Sequence, residues 1–192
     1  MTWEGGLSGL PECSRPATKE APKPMPLYFA YGSNMDQVAM LQRCPASKPV
    51  GIGRLMRHRF IIFEEGYASV VRDPQRAVWG MVWDLALADV PALDRYESLS
   101  TGLYTKVVQP VVTEQGPRRA VVYIGRSAKP GTPLPGYMEG VVEAAEHAGL
   151  PADYIKSLGI WLPRTQASAP AAQTPKVRPL WNAPSGTFRK SR

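Results

Sequence analysis

The chain has 192 residues, 44% of them hydrophobic, enough for one domain with its own core. No apolar run approaches the roughly 20 residues that span a bilayer, and residues 1–24 lack the basic stretch and apolar core of a secretory leader, so a soluble, cytoplasmic protein is expected. The formal charge of +7 sits mainly in the tail: six basic residues and no acid follow Pro163, three of each sign lie in residues 1–24, and fourteen basic against thirteen acidic residues fill the stretch between. A nearly neutral domain argues against a nucleic-acid reading, and a basic tail can touch any polyanion weakly.

Residues 1–26 are rich in Pro, Gly and Ser without hydrophobic periodicity and read as a disordered arm. The domain is expected to span 27–163 and a disordered basic tail to span 164–192. Residues 27–31, Leu-Tyr-Phe-Ala-Tyr, read as a buried strand. Gly32 then permits a tight turn, and Ser33 and Asn34 are good N-caps for a helix over 36–42. A strand, a glycine turn and a helix start in so few residues leave several N–H groups unpaired and pointing one way. By itself this turn fits a plain strand–helix connection as well as a cradle for a carboxylate or another anion. It lacks the Gly-Lys-Ser/Thr of a P-loop, the spaced glycines of a dinucleotide site and the Gly-x-Ser-x-Gly of a nucleophile elbow.

Further along, strands are expected over 50–55, 58–63 and 68–72, with a turn at Asp73-Pro74-Gln75-Arg76. The strongest strand is 77–85, where Trp79, Met81, Trp83 and Leu85 make a bulky face and Val78, Gly80, Val82 and Asp84 a smaller one. The two tryptophans read as core, and Gly80 as a place of close backbone approach, for instance to a ligand. Residues 88–96 form a short helix with Pro91 in its first turn, and Glu97 stands at its C-terminal end. Strands over 104–113 and 118–125 flank a hairpin turn at Glu114-Gln115-Gly116-Pro117, Pro110 pointing to an edge or bulge. A helix over 137–148 ended by Gly149 and another over 151–158 close the domain. Short strands followed by a helical pair give an α+β class. Cys13 and Cys44 read as reduced thiols, and His58 and His147 have no ligand-like companions, so no metal site is expected.

Tyr28-Phe29-Ala30-Tyr31-Gly32-Ser33-Asn34 resembles the opening motif of the γ-glutamylcyclotransferase family, which includes the AIG2-like proteins. The runs Val78-Trp79-Gly80-Met81-Val82-Trp83, Leu93-Asp94-Arg95-Tyr96-Glu97 and Gly102-Leu103-Tyr104 resemble that family's strand, acidic motif and Gly-x-Tyr, in the same order. The resemblance spans roughly residues 27–161. It implies a small mixed β-barrel flanked by helices.

On its own features Glu97 is either an ordinary surface carboxylate or one whose proton affinity is raised by the helix end and by burial. The resemblance assigns it the role of catalytic glutamate. It implies that Glu97 takes a proton from the α-ammonium of a γ-glutamyl compound, that the freed amine attacks the γ-carbonyl, and that 5-oxoproline and an amine or amino acid leave without any cofactor. The stretch from Tyr28 to Asn34 would fix the substrate, with Tyr104 near the glutamate and Tyr137 near the bound substrate; either tyrosine alone fits packing equally well. Pocket walls are expected from residues 64–67 and 127–136. The family often carries Gly after this Glu, where the chain has Ser98, a residue that disfavours positive φ. The competing readings are a non-catalytic binder of a small anion, a cyclotransferase for a γ-glutamylated biosynthetic intermediate, and a polyanion-binding module using the tail.

Overall fold

The computed structural model describes residues 26–163 together with Met1. The expected arm and basic tail, with Cys13, lie outside the described residues. Five strands close into a mixed barrel in the order β1-β3-β2-β4-β5. β1 (Leu27–Ala30) runs antiparallel to β3 (Ala68–Asp84) and parallel to β5 (Gly116–Gly125), and these two pairings close the ring. β2 (Lys48–Ile62) pairs with β3 along most of its length and touches β4 (Tyr104–Thr113) only at Gly53 and Arg54. Pro110 is tolerated in β4 because β2 reaches that strand only opposite Val112 and Thr113.

All four residues of β1 are buried, as a continuous apolar run with neighbours on both sides should be. The barrel interior is narrow. A Cβ on Gly53 would meet Val82 at 2.6 Å and Val111 at 2.7 Å, and a Cβ on Gly80 would lie 2.2 Å from the Ala30 carbonyl. Gly80 therefore answers to the close passage of β1. Trp83 is fully buried, whereas Trp79 is half-buried with the Arg54 guanidinium 5.0 Å from its ring centre.

Two expectations change. The separate strands over 50–55 and 58–63 are one strand, bent by register shifts at Pro49/Gly51 and Met56/His58. The turn expected at residues 73–76 does not reverse the chain, and β3 continues through it. Met56 pairs with Ala77 and His58 with Arg72, so residues 73–76 loop out opposite Arg57, which takes φ 59°. The turn chemistry is present, since Asp73 Oδ1 accepts from the Gln75 amide at 3.1 Å, but it is absorbed as an exposed bulge.

Four helices flank the barrel: α1 (Gln37–Arg43), α2 (Val90–Tyr96), α3 (Tyr137–His147) and α4 (Ala152–Leu158). A 3-10 turn, Ser33–Met35, joins β1 to α1. Ser33 and Asn34 do not cap α1. Asp36 does so, accepting from the amides of Val38 at 2.9 Å and Ala39 at 3.1 Å. This leaves the Ser33 and Asn34 side chains available for contacts across the molecule. No helix among the described residues is long and apolar enough to cross a membrane.

Candidate active site

Glu97 is the C-cap residue of α2 and is 8% exposed. Asn34 donates from Nδ2 to Glu97 Oε1 at 2.8 Å and to the Tyr28 hydroxyl at 2.9 Å. Tyr28 makes a longer approach of 3.4 Å to the same Oε1. The hydrogen bonds to this carboxylate thus end on Oε1, and Oε2 accepts none among the described residues. One oxygen is held and the other is left for a visitor.

Burial raises the proton affinity of Glu97 most, and Asp94 adds to it. Arg43 opposes the rise most strongly, followed by the hydrogen bonds from Tyr28 and Asn34. The balance is a pKa of about 7, up from 4.5. Burial therefore leads, where the sequence had placed the helix end first; α2 has only seven residues.

Aromatic hydroxyls surround the carboxylate. Tyr31 donates its hydroxyl to the Tyr123 carbonyl. Tyr104 and Tyr137 hold the two ends of one residue, for the Ala68 amide donates to Tyr137 Oη at 3.1 Å and the Ala68 carbonyl accepts from Tyr104 Oη at 2.7 Å. A Cβ on Gly32 would lie 3.1 Å from that Tyr137 oxygen, so the turn and the tyrosine face each other closely. Burial is the leading cause that pushes Tyr28, Tyr31 and Tyr104 well above the ordinary phenol value, with Glu97's charge adding. They stay protonated at neutral pH and act as donors. Asp94, one turn before Glu97, is itself held by Lys106 Nζ at 2.9 Å and by the Tyr123 hydroxyl at 2.5 Å.

The fold brings Tyr28, Ser33, Asn34 and Glu97 together and sets Tyr31, Gly32, Tyr104 and Tyr137 beside them. Phe29 and Ala30 take other places. The Phe29 ring lies against Gly53 and Gly80 inside the barrel, and the Ala30 carbonyl rests against Gly80. The two expected wall segments meet: Phe63 bridges to Pro130, the Gly131 amide donates to the Ile62 carbonyl at 2.8 Å, and Leu134 packs on Gly66. Tyr67 stacks edge-on against Tyr137 at 5.4 Å.

Two members of the site escaped the sequence reading. Arg43, the last residue of α1, donates from Nη1 to Asn34 Oδ1 and lies 3.4 Å above the Tyr96 ring. Tyr96 in turn shares a 3.0 Å hydrogen bond with Ser33 Oγ. Tyr96 lies inside the quoted acidic motif and Arg43 beyond the opening one, but neither carries a signal of a site role of its own. Among the described residues no cluster of three or more His, Cys, Asp or Glu is placed to hold a metal. Cys44 is a free, fully buried thiol, which burial pushes up to about 11, so it is no nucleophile near neutrality.

Ser98, which stands where the resembled family often has Gly, adopts φ 53° and ψ 42°. The loop takes the left-handed shape despite the side chain. Three donors gather on the Ser98 carbonyl: the Thr101 amide at 3.1 Å, the Thr101 hydroxyl at 3.0 Å and the Leu103 amide at 3.3 Å.

Comparison with known proteins agrees with this fold. The model of the AIG2-like family matches residues 77–158, which run from β3 through α4 and contain Glu97. A γ-glutamylcyclotransferase from Bos taurus is 28% identical over 145 residues, covering 69% of this chain and 76% of its own. Its counterpart from Homo sapiens is 27% identical over 143 residues, with the same coverage of both chains. A solved γ-glutamyl cyclotransferase shares the fold at a TM-score of 0.67 with 24% identity, over 76% of this chain and 93% of its own. An uncharacterized human protein superimposes at 0.66 with 26% identity, over 82% of this chain and 95% of its own. In its closed mixed barrel and flanking helices, and over the matched residues 77–158, the chain is similar to the AIG2-like, γ-glutamylcyclotransferase family.

Proposed function

We propose that the protein is a γ-glutamylcyclotransferase, with its catalytic domain in residues 27–163 and Glu97 as the proton carrier. The observation that carries this reading is the state of Glu97: buried, anchored through Oε1 alone, with a pKa of about 7. A peptide α-amino group titrates near 8 and the free carboxylate beside it in a γ-glutamyl group raises that, so transfer of its proton to such a carboxylate is uphill by only a modest amount. An ordinary glutamate, at about 4.3, would be a poor base for the same proton.

In the proposed reaction Glu97 takes one proton from the substrate's α-ammonium. The nitrogen lone pair attacks the γ-carbonyl carbon, and a new C–N bond closes a five-membered ring. The amide C–N bond then breaks as Glu97 returns that proton to the leaving nitrogen, and the second proton of the ring nitrogen passes by way of the same carboxylate to the departing amine, which leaves as an ammonium. The products are 5-oxoproline and an amine or amino acid, and no electrons change hands. Attack within one molecule removes the entropy of bringing two reactants together. The amides of residues 32–34, at the head of the 3-10 turn, are the proposed donors to the oxygen that gains charge. Tyr104 and Tyr137, fixed through Ala68, would form the opposite wall.

The test is release of 5-oxoproline from a panel of γ-glutamyl amino acids, peptides and amines. Release by the wild-type protein and none by Glu97→Gln is the expected result, and the best substrate identifies the leaving group. Equal release by both proteins would overturn the role of Glu97.

A further inference from the structure

Arg43 touches neither Glu97 nor Tyr28, yet it meets the partners of both. Its guanidinium bonds Asn34 Oδ1 on one side and covers the Tyr96 ring on the other. We propose that Arg43 is a positioning residue: clasped between Asn34 and Tyr96, it fixes the Asn34 amide so that both N–H groups of that amide face Glu97 and Tyr28. This rests on the reading of Glu97 as the proton carrier.

The physical reason lies in the two ends of an asparagine amide. Nδ2 carries two hydrogens, used here on Glu97 Oε1 at 2.8 Å and Tyr28 Oη at 2.9 Å. Turned over, the same amide would set Oδ1 against a carboxylate oxygen and would accept the Tyr28 hydrogen that now points to Glu97. A cation on Oδ1 makes that turn costly. A planar guanidinium suits the task because it can donate in its plane while its face lies on a ring. Tyr96 adjoins Glu97 in sequence and is tied to Ser33 at 3.0 Å, so the clasp also joins the motif turn to the end of α2.

The charge acts on Glu97 as well. The groups facing this carboxylate are Tyr28 and Tyr31 from β1, Asn34 from the turn, Arg43 from α1, Asp94 from α2, Tyr104 from β4, Tyr123 from β5 and Tyr137 from α3. Lys106 is spent on Asp94 at 2.9 Å. Arg43 is thus the cation that holds the carboxylate's proton affinity down.

The experiment is a carbon-13 NMR titration of the Glu97 carboxyl, assigned with Glu97→Gln, in wild type, Arg43→Gln and Arg43→Lys. In Arg43→Gln the midpoint should rise by about one pH unit, within the range for loss of a neighbouring opposite charge. In Arg43→Lys, which keeps the charge but not the stacked fork, the midpoint should rise by roughly half as much, because the Asn34 amide is then free to turn, and a midpoint equal to wild type would mean that charge alone matters and overturn the positioning role. The accompanying 5-oxoproline kinetics should show kcat at pH 7 lowered about tenfold in Arg43→Gln, with KM nearly constant. Circular dichroism checks the fold. If Arg43→Gln does not fold, Tyr96→Leu removes the platform alone and should move the midpoint in the same direction by less. An unmoved midpoint, or a raised KM at constant kcat, overturns the proposal; the second would mean that Arg43 binds substrate itself. The titration needs no turnover. A chain that titrates as expected but releases no 5-oxoproline sinks the cyclotransferase reading and leaves the role of Arg43 in orienting Asn34 standing.

Discussion

The short helix α2 carries a buried carboxylate at each end, and the two have different surroundings. Asp89, at the N-cap position, is 6% exposed, and Glu97, at the C-cap position, is 8% exposed. Asp89 Oδ2 accepts from the Ala46 amide at 3.0 Å and from the Ser47 hydroxyl at 2.7 Å. Ser47 Oγ accepts in turn from the Ala86 amide at 3.1 Å, so this carboxylate staples the segment after α1 to the entry of α2. Glu97 meets side chains alone, on one oxygen, within a ring of phenols. Burial by itself therefore does not mark a chemical group. What separates the two is the donors: at Asp89 a backbone amide and a serine itself tied to backbone, at Glu97 side chains of the strand and turn of the opening motif.

The largest effect that sharpens this contrast is on turnover. Glu97→Gln keeps the size of the side chain and the acceptor at Oε1 but cannot carry a proton. It should lower kcat/KM by at least about a thousandfold, consistent with loss of general acid–base catalysis. Its circular dichroism spectrum should match wild type. Asp89→Ala should do the reverse. It strands the Ala46 amide and the Ser47 hydroxyl, costing about 3 kcal/mol in urea unfolding, while the folded fraction keeps its kcat. If Asp89→Ala were to abolish kcat in protein shown to be folded, the distinction between the two ends would fail.

The second test uses pH. Glu97 has a pKa raised from 4.5 to about 7 in the folded protein. Between these values the folded protein holds a proton that the unfolded chain has released. The stabilising contribution is full below pH about 4.5 and lost as pH rises through about 7, up to about 3 kcal/mol in all. Glu97→Gln should remove that slope and be the more stable protein at pH 8. Activity runs the other way, because the base must be ionised, so wild-type kcat/KM should rise through pH 7 while stability falls. Urea midpoints at several pH values, set beside the rate profile, check both signs.

These two carboxylates also show what could be read in the sequence. Tyr28 through Asn34 announced a buried strand and a turn because five apolar residues stop at a glycine, and Pro91 fixed the start of a helix that delivers Glu97. Nothing in the sequence marks Asp89 as a staple, since its partners at 46 and 47 lie over forty positions away. Arg43 and Tyr96 were missed for the same reason: a guanidinium reaching back to Asn34 and over a ring on another helix leaves no periodic trace. The bulge at 73–76 had honest turn residues, yet whether four such residues reverse a chain or loop out of it is decided by the partner strand. Asp36 outcompeted Ser33 and Asn34 as cap because the chain completes a 3-10 turn before α1 begins.

The smallest effect concerns the residue that follows Glu97. Ser98 at φ 53° occupies a conformation in which an L side chain costs about 1–2 kcal/mol, whereas glycine adopts it freely. Replacing it with glycine relieves that strain but frees the unfolded chain, which takes back roughly half of the gain. Ser98→Gly should therefore stabilise by about 0.5–1 kcal/mol. Rate constants should change less than twofold, because the loop is tied through the Ser98 carbonyl, which accepts from Thr101 and Leu103, and not through its hydroxyl. Ser98→Val should act oppositely, losing about 2 kcal/mol, because a β-branched side chain fits this conformation worst. Paired melting curves decide it. A destabilised Ser98→Gly would mean that the serine hydroxyl itself holds the end of α2, making that end a scaffold joint like the one at Asp89.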